Sequence, residues 1–112
     1  MRTLPTLRDK KRYLAFEIIS EKKIVPGELS KEIFNSICSL FGDVGCSEID
    51  PRLISCEGGY GIIRCARGKT EEARAALACI NSINGGRVTI TVLGISGTIK
   101  SAMEKFIQQT LI

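Results

Sequence analysis

Apolar and polar positions alternate along Tyr13-Leu14-Ala15-Phe16-Glu17-Ile18-Ile19-Ser20. Leu14, Phe16 and Ile18 share one face, Tyr13, Ala15 and Glu17 the other, and a period of two predicts a half-buried strand. Beyond Pro26-Gly27 the period lengthens. Leu29, Ile33, Ile37, Leu40 and Phe41 fall along one helical stripe, with Ser30 placed as N-cap and Gly42 placed to end the helix. Asp43 to Arg52, containing Gly45 and Pro51, reads as a loop. Leu53 to Cys56 and Tyr60 to Arg67 predict two strands joined across Glu57-Gly58-Gly59, where the glycine pair supplies the positive φ of a tight hairpin. In the second strand Gly61, Ile63 and Cys65 share one face and Tyr60, Ile62 and Arg64 the other. Gly68 closes it. Thr70 is placed to cap a second helix, with Glu71 and Glu72 in the first turn, where carboxylates suit the dipole. Ala73, Ala76, Leu77, Ile80 and, at its end, Ile83 form that helix's stripe, and Asn84-Gly85-Gly86 stops it.

The stretch Arg87 to Ile107 organises what remains. Val88, Thr89, Ile90, Thr91 and Val92 are an unbroken β-branched run, the composition of a strand. Ile99, Ala102, Met103, Phe106 and Ile107 then recur at helical spacing. Gly94 to Thr98 reads as a small-residue turn between them, with Thr98 as N-cap. Two readings stand side by side there: an ordinary strand-to-helix joint, or a phosphate contact made by the outward-facing N–H groups of the helix start, assisted by Lys100 and Lys105.

The order β-α-β-β-α-β followed by one helix predicts an α+β, ferredoxin-like or RRM-like sandwich with an additional C-terminal helix. The expected antiparallel sheet order is 4-1-3-2, with the Tyr13 strand beside the Tyr60 strand in the middle. Residues 1–12 form a basic arm and residues 13–112 a single domain. Leu14, Phe16, Ile18, Ile33, Ile37, Ile63, Leu77, Ile80 and Val92 are the expected core, and the third helix is expected to pack within its own chain because a short helix is marginal alone. The RNA-recognition motif has the same layout and stacks bases on aromatic residues of its central strands. Here Tyr13 and Tyr60 occupy such strands, with Arg64 nearby, but Tyr60-Gly61-Ile62-Ile63-Arg64-Cys65 lacks the motif's aromatic run. Tyrosines on strands are more often packing residues with a polar tip.

Composition narrows the chemistry. A chain of 112 residues fits one domain. It contains no apolar run of the roughly 20 residues a membrane helix needs, and its N-terminus has no signal-peptide pattern, so a cytoplasmic location is expected. There is no histidine, hence no Ser-His or Cys-His dyad and no imidazole base. The Gly-Ile-Ser-Gly-Thr run has Thr98 where a nucleophile elbow needs glycine. Five scattered cysteines form no C-x-x-C pair and read as core thiols rather than a metal site. No cofactor or metal is expected on this chain, which does not read as a self-sufficient catalyst. The net charge of +4 is uneven: Arg2, Arg8, Lys10, Lys11 and Arg12 crowd the start against Asp9. Such a lead-in suits nucleic acid or a merely solvated end.

Three segments, LPTLRDKKRYLAFEI, GIIRCARG and VLGISGTIKSAMEKF, together resemble the archaeal ribonuclease P protein component 2 family, which is related to a subunit shared by eukaryotic RNase P and RNase MRP. The resemblance runs from about Leu4 to Phe106 and is weakest through Asp43 to Arg52. It implies a subunit of the ribonucleoprotein endonuclease that removes 5′ leaders from precursor tRNA, in which the RNA and its magnesium ions perform hydrolysis. It further implies contact with the catalytic domain of that RNA, pairing with a TIM-barrel-like protein subunit, a homodimer within a heterotetramer, and only indirect contact with precursor tRNA. It carries over no catalytic side chain. The candidate RNA contacts are Arg8, Lys10, Lys11, Arg12, Tyr13, Tyr60, Arg64, Arg67, Gly97, Thr98 and Lys100. The alternative is a ferredoxin-like regulatory module binding a small molecule, or a structural partner-binding module. A basic arm is superfluous to either.

Overall fold

The structure, a computed structural model, describes residues 11–108. Strand β1 (Lys11–Ser20) lies at the centre of the sheet, hydrogen-bonded on one side to β3 (Tyr60–Ala66) and on the other to β5 (Gly86–Ser96), both antiparallel. The edges are β2 (Arg52–Glu57), beside β3, and the two-residue β4 (Ser82–Ile83), beside β5. The order is therefore β2-β3-β1-β5-β4, not the expected 4-1-3-2. The difference is β4. Ile83 was expected on a helical stripe, but Asn84 (φ 51°) and Gly85 (φ 81°) both adopt left-handed backbone and turn the chain into a hairpin instead of stopping a helix. The juxtaposition of the Tyr13 and Tyr60 strands is as expected, as is the Gly58-Gly59 turn, where φ is 61° and 84°.

Helix α1 (Pro26–Ile49) starts earlier and runs further than the pattern indicated. Pro26 occupies the first turn, where its fixed φ helps and its missing N–H costs nothing. Val25, not Ser30, is the N-cap. Gly42 does interrupt the helix, at φ 75° and ψ 178°, but the chain then resumes helical geometry instead of becoming a loop. That second segment buries Cys46 and Ile49. Helix α2 (Thr70–Ala78) begins with Thr70 inside its first turn and Lys69 as N-cap without a side-chain bond, so Thr70 does not cap it. The Ser36 hydroxyl donates to the Ala76 carbonyl at 2.8 Å, tying α1 to α2.

Leu14, Phe16, Ile18, Ile33, Ile37, Ile63, Leu77 and Ile80 are buried together between the sheet and these two helices, with Val92 packed against them. Phe16 lies across Gly61, where a Cβ would sit 2.5 Å from the ring. Burial of such side chains contributes roughly 1.5–3 kcal/mol each.

The other sheet face is also covered. After Thr98, whose hydroxyl accepts from the Ser101 N–H at 3.1 Å, α3 (Ile99–Ala102) opens into wider π-type turns over Met103–Gln108. Ala102 and Ile107 are buried against Ala15 and Ile62, flanked by Tyr13, Tyr60, Leu93, Met103 and Phe106. The third helix thus packs on its own sheet. Gly94 was expected in a turn but lies within β5, next to the bulge that separates the Ala15–Gly94 and Phe16–Val92 pairs. The missing Cβ makes room for the Phe106 ring.

Candidate nucleic-acid interface

Antiparallel pairing sorts charge to the ends of the strands. β1 begins, β3 ends, β5 ends and β2 begins at the same end of the sheet: Lys11 pairs with Ala66, Arg12 with Cys65, Tyr13 with Arg64 and Ser96, and Arg52 with Arg64. Residues distant in sequence meet there.

The Lys11 ammonium donates to Asp50 Oδ2 at 3.0 Å. That bond, then the nearby Arg64 and Arg52 guanidinium groups, hold the Asp50 carboxyl below its usual range against the opposing effect of burial. Asp50 sits at the end of α1 with a left-handed φ of 50°, its N–H bonded to the Cys46 carbonyl at 2.9 Å. Arg12 donates from a guanidinium nitrogen to the Lys11 carbonyl at 3.0 Å, and the same nitrogen lies next to Gly97. Arg64 is half-buried, and its Nε is shielded from solvent with no hydrogen-bond partner. Arg67 is exposed on the turn beyond β3. Lys100 is 85% exposed and reaches Glu104 only at 4.0 Å. Among the described residues Arg12, Arg52, Arg64 and Arg67 make no ion pair with a carboxylate within 4.0 Å. An unpaired cationic cluster across a strand edge is an electrostatic footprint for a polyanion.

Of the expected contact residues, Lys11, Arg12, Arg64, Arg67 and Gly97 come together at this end, and Thr98 and Lys100 follow Gly97 at the start of α3. Arg8 and Lys10 lie outside the described residues. Tyr13 and Tyr60 do not form an open platform, because both pack under the C-terminal helix. Tyr60 also sits toward the other end of the sheet, its hydroxyl donating to Glu17 Oε2 at 3.3 Å. Desolvation and the Glu17 charge push that phenol up. Arg52 and Asp50 were missed in the sequence. Both fall in the stretch expected to be loop; strand register places Arg52 beside Arg64, and the ion pair places Asp50 beside Lys11.

Among the described residues no cluster of cysteines, aspartates and glutamates is arranged to hold a metal ion. None of their helices is long and apolar enough to cross a membrane.

The fold and this end define a small α+β protein that brings Lys11, Arg12, Arg52, Arg64 and Arg67 to one end of its sheet. The chain belongs to the Rpp14/Pop5 family, whose profile matches residues 12–107. It is similar to ribonuclease P protein component 2 of Methanosarcina mazei, 51% identical over 107 residues that cover 96% of this chain and 92% of that one. It is likewise similar to ribonuclease P protein component 2 of Pyrococcus furiosus, 41% identical over 107 residues covering 94% and 89%. These are the relatives the three sequence segments indicated. A chain in a cryo-EM structure of yeast ribonuclease MRP shares the fold, with a TM-score of 0.65 at 11% identity over 99% of this chain and 92% of that one.

Proposed function

We propose that this chain is a protein subunit of ribonuclease P, acting in the removal of 5′ leaders from precursor tRNA. The observation that carries the reading is the match to the Rpp14/Pop5 family across residues 12–107, with relatives named ribonuclease P protein component 2. The cationic end supplies the physics. Guanidinium groups that make no ion pair within 4.0 Å among the described residues neutralise RNA phosphates, release counterions and stabilise a folded RNA against self-repulsion. The work of this chain is support: the RNA, with magnesium bound to it, performs hydrolysis, and no side chain here touches the scissile bond. A TIM-barrel-like protein is its partner, with two copies of this chain meeting in a heterotetramer in the cytoplasm. The β1-α1-β2-β3-α2-β5 path is the βαββαβ course of a ferredoxin-like domain that begins with Lys11 and Arg12 already in β1, two residues inside the arm expected over residues 1–12.

The test is reconstitution of precursor-tRNA cleavage with and without the chain, together with RNA affinity measured across salt concentrations. Replacing Arg12, Arg52 and Arg67 by glutamine together should flatten the log–log salt dependence by roughly 2–3, at about 0.7–0.9 per lost phosphate contact. Cleavage at saturating protein and magnesium should largely recover, since other cations can replace a positional contact. A single carboxylate or lysine change that abolishes turnover with assembly intact would instead place the active site on this protein.

A further inference from the structure

Helix α1 holds a second chemical feature, a cleft that adjoins the cationic end at Asp50. Cys38 and Cys46 lie on opposite sides of the Gly42 break. In an uninterrupted helix, residues so spaced would stand about 12 Å apart along the axis at 1.5 Å per residue, too far for their thiols to meet. Here they do meet. Both line one open cleft, together with Phe34, Asp43, Ser47 and Asp50. Cys46 is buried in the core and Cys38 packs, half-buried, against the same cluster. Burial and then the neighbouring Cys38 thiol push the Cys46 thiol up to about 11. The turn is closed tightly: a Cβ on Gly45 would sit 2.5 Å from the Phe41 Cβ, and Gly42 has the left-handed φ of 75° that glycine tolerates. Both thiols are free.

We propose that Cys38 and Cys46 form an oxidisable dithiol whose disulfide locks the turn at Gly42, with a peroxide as oxidant. The half-buried Cys38 is the group reached from the cleft, and Cys46 resolves it. The Cys38 thiolate attacks one peroxide oxygen, the O–O bond breaks, and Cys38 becomes a sulfenic acid as hydroxide leaves and is protonated. The Cys46 sulfur then attacks the Cys38 sulfur, the S–O bond breaks, and the departing hydroxide takes the Cys46 proton as water. Two thiols lose two electrons and two protons, and one peroxide becomes two waters. The remaining cysteines are not part of this pair. Cys65 is buried, and burial pushes its thiol up to about 11. Cys79 is exposed and lies outside the cleft.

The experiment treats the full chain with hydrogen peroxide, alkylates remaining thiols under denaturing conditions, and maps peptides by mass spectrometry. The expected result is a peptide joining Cys38 to Cys46, both protected from alkylation and both released by dithiothreitol, while Cys56 and Cys65 stay alkylatable. Cys38→Ser, at a half-buried position, should lose the joined peptide and leave Cys46 reduced, with an unchanged far-UV CD spectrum. Cys46→Ala should leave Cys38 as a sulfenic acid trappable by dimedone. The proposal is overturned if peroxide leaves Cys46 reduced in the unmodified sequence, if Cys38 joins Cys79 or a second molecule instead, if Cys46 is still protected in Cys38→Ser, or if Cys38 in Cys46→Ala forms no dimedone adduct.

Discussion

Replacing Gly94 by alanine tests whether the C-terminal helix rests on the sheet. In an ordinary strand this change stabilises, because glycine loses more backbone freedom on folding, by about 0.5–1 kcal/mol. Here an added Cβ would lie 2.2 Å from Phe106 Cε1, 2.3 Å from Cζ and 2.7 Å from Cδ1. Carbon atoms settle at about 3.5–4.0 Å, so the ring must retreat by more than ~1 Å and take the turns over Met103–Gln108 with it. Such overpacking costs about 1–3 kcal/mol. Set against the strand gain, the net expectation is a loss of about 1–2 kcal/mol. At about 4 °C per kcal/mol for a domain of this size, Tm falls by about 4–8 °C. Urea unfolding followed by far-UV CD measures it, and a double-mutant cycle isolates the cause. Phe106→Ala alone should cost about 2–3 kcal/mol, below the range for a fully buried phenylalanine because the ring is half-buried. In the Phe106→Ala background the Gly94→Ala change should stop destabilising, giving a coupling of at least about 1 kcal/mol. A Gly94→Ala protein more stable than the parent, or two costs that simply add, would refute the packing of Phe106 on β5.

Phe16→Ala should cost about 3–5 kcal/mol in the same urea assay, since Phe16 is fully buried against both helices, and a cost below about 1 kcal/mol would mean the first strand faces the other way. Gly42→Ala should cost about 1–3 kcal/mol without changing the fold, because its φ of 75° with ψ of 178° strains any residue with a Cβ; an unchanged midpoint would show that the break relaxes. For Asp50 the folded carboxyl titrates below the 3.8 of a free one, chiefly through Lys11. Its stabilisation is thus present above pH 3.8 and lost as pH falls through the lower folded value. With the Asp50 side chain 48% exposed, screening keeps this to under about 1 kcal/mol. The stability–pH curves of the parent and of Lys11→Met should therefore separate above that window and converge below it; parallel curves would show that the ion pair is not formed.

The faces of β1 and β3 were legible because each strand carries an unbroken period of two. Leu14, Phe16 and Ile18 point where the alternation put them, and so do Gly61, Ile63 and Cys65. The failures cluster at glycine and asparagine, whose signals are ambiguous one residue at a time. Asn84-Gly85 fits a helix stop, but the pair is also the strongest short hairpin signal, and the latter meaning holds. Gly42 signals a true break in α1, but Gly45 and Pro51 nearby made the following segment look like loop. The spacing of Cys46 and Ile49, one helical turn apart on the buried side, was the available signal for helix. In the sequence Gly94 reads as the start of a small-residue turn, whereas its use is an absent side chain that only the position of Phe106 explains. The candidate site was legible as a set of residue types and not as a place. No local pattern indicates that Arg52, Arg64 and Lys11 share one strand end, because that follows from register.

Covering both faces of the sheet limits how this protein can meet an RNA. An open face would let bases stack on Tyr13 and Tyr60 and be read through their edges. With Ala102, Ile107 and Phe106 lying over that face, stacking would require the C-terminal helix to leave, exposing the apolar surface it shares with Ala15 and Ile62. The strand ends impose no such cost. Among the described residues Arg12, Arg52, Arg64 and Arg67 make no ion pair within 4.0 Å there, at the end where β1 begins and β3 ends. Guanidinium groups placed this way recognise phosphates and their spacing, not base identity. Under the proposed role, then, discrimination among RNAs comes from whether a folded RNA brings phosphates into the geometry of this edge. A single-stranded competitor of equal length should bind more weakly and with a shallower salt dependence than a structured one. Equal binding of both would mean that the edge acts as diffuse charge, and that specificity lies with the protein partner.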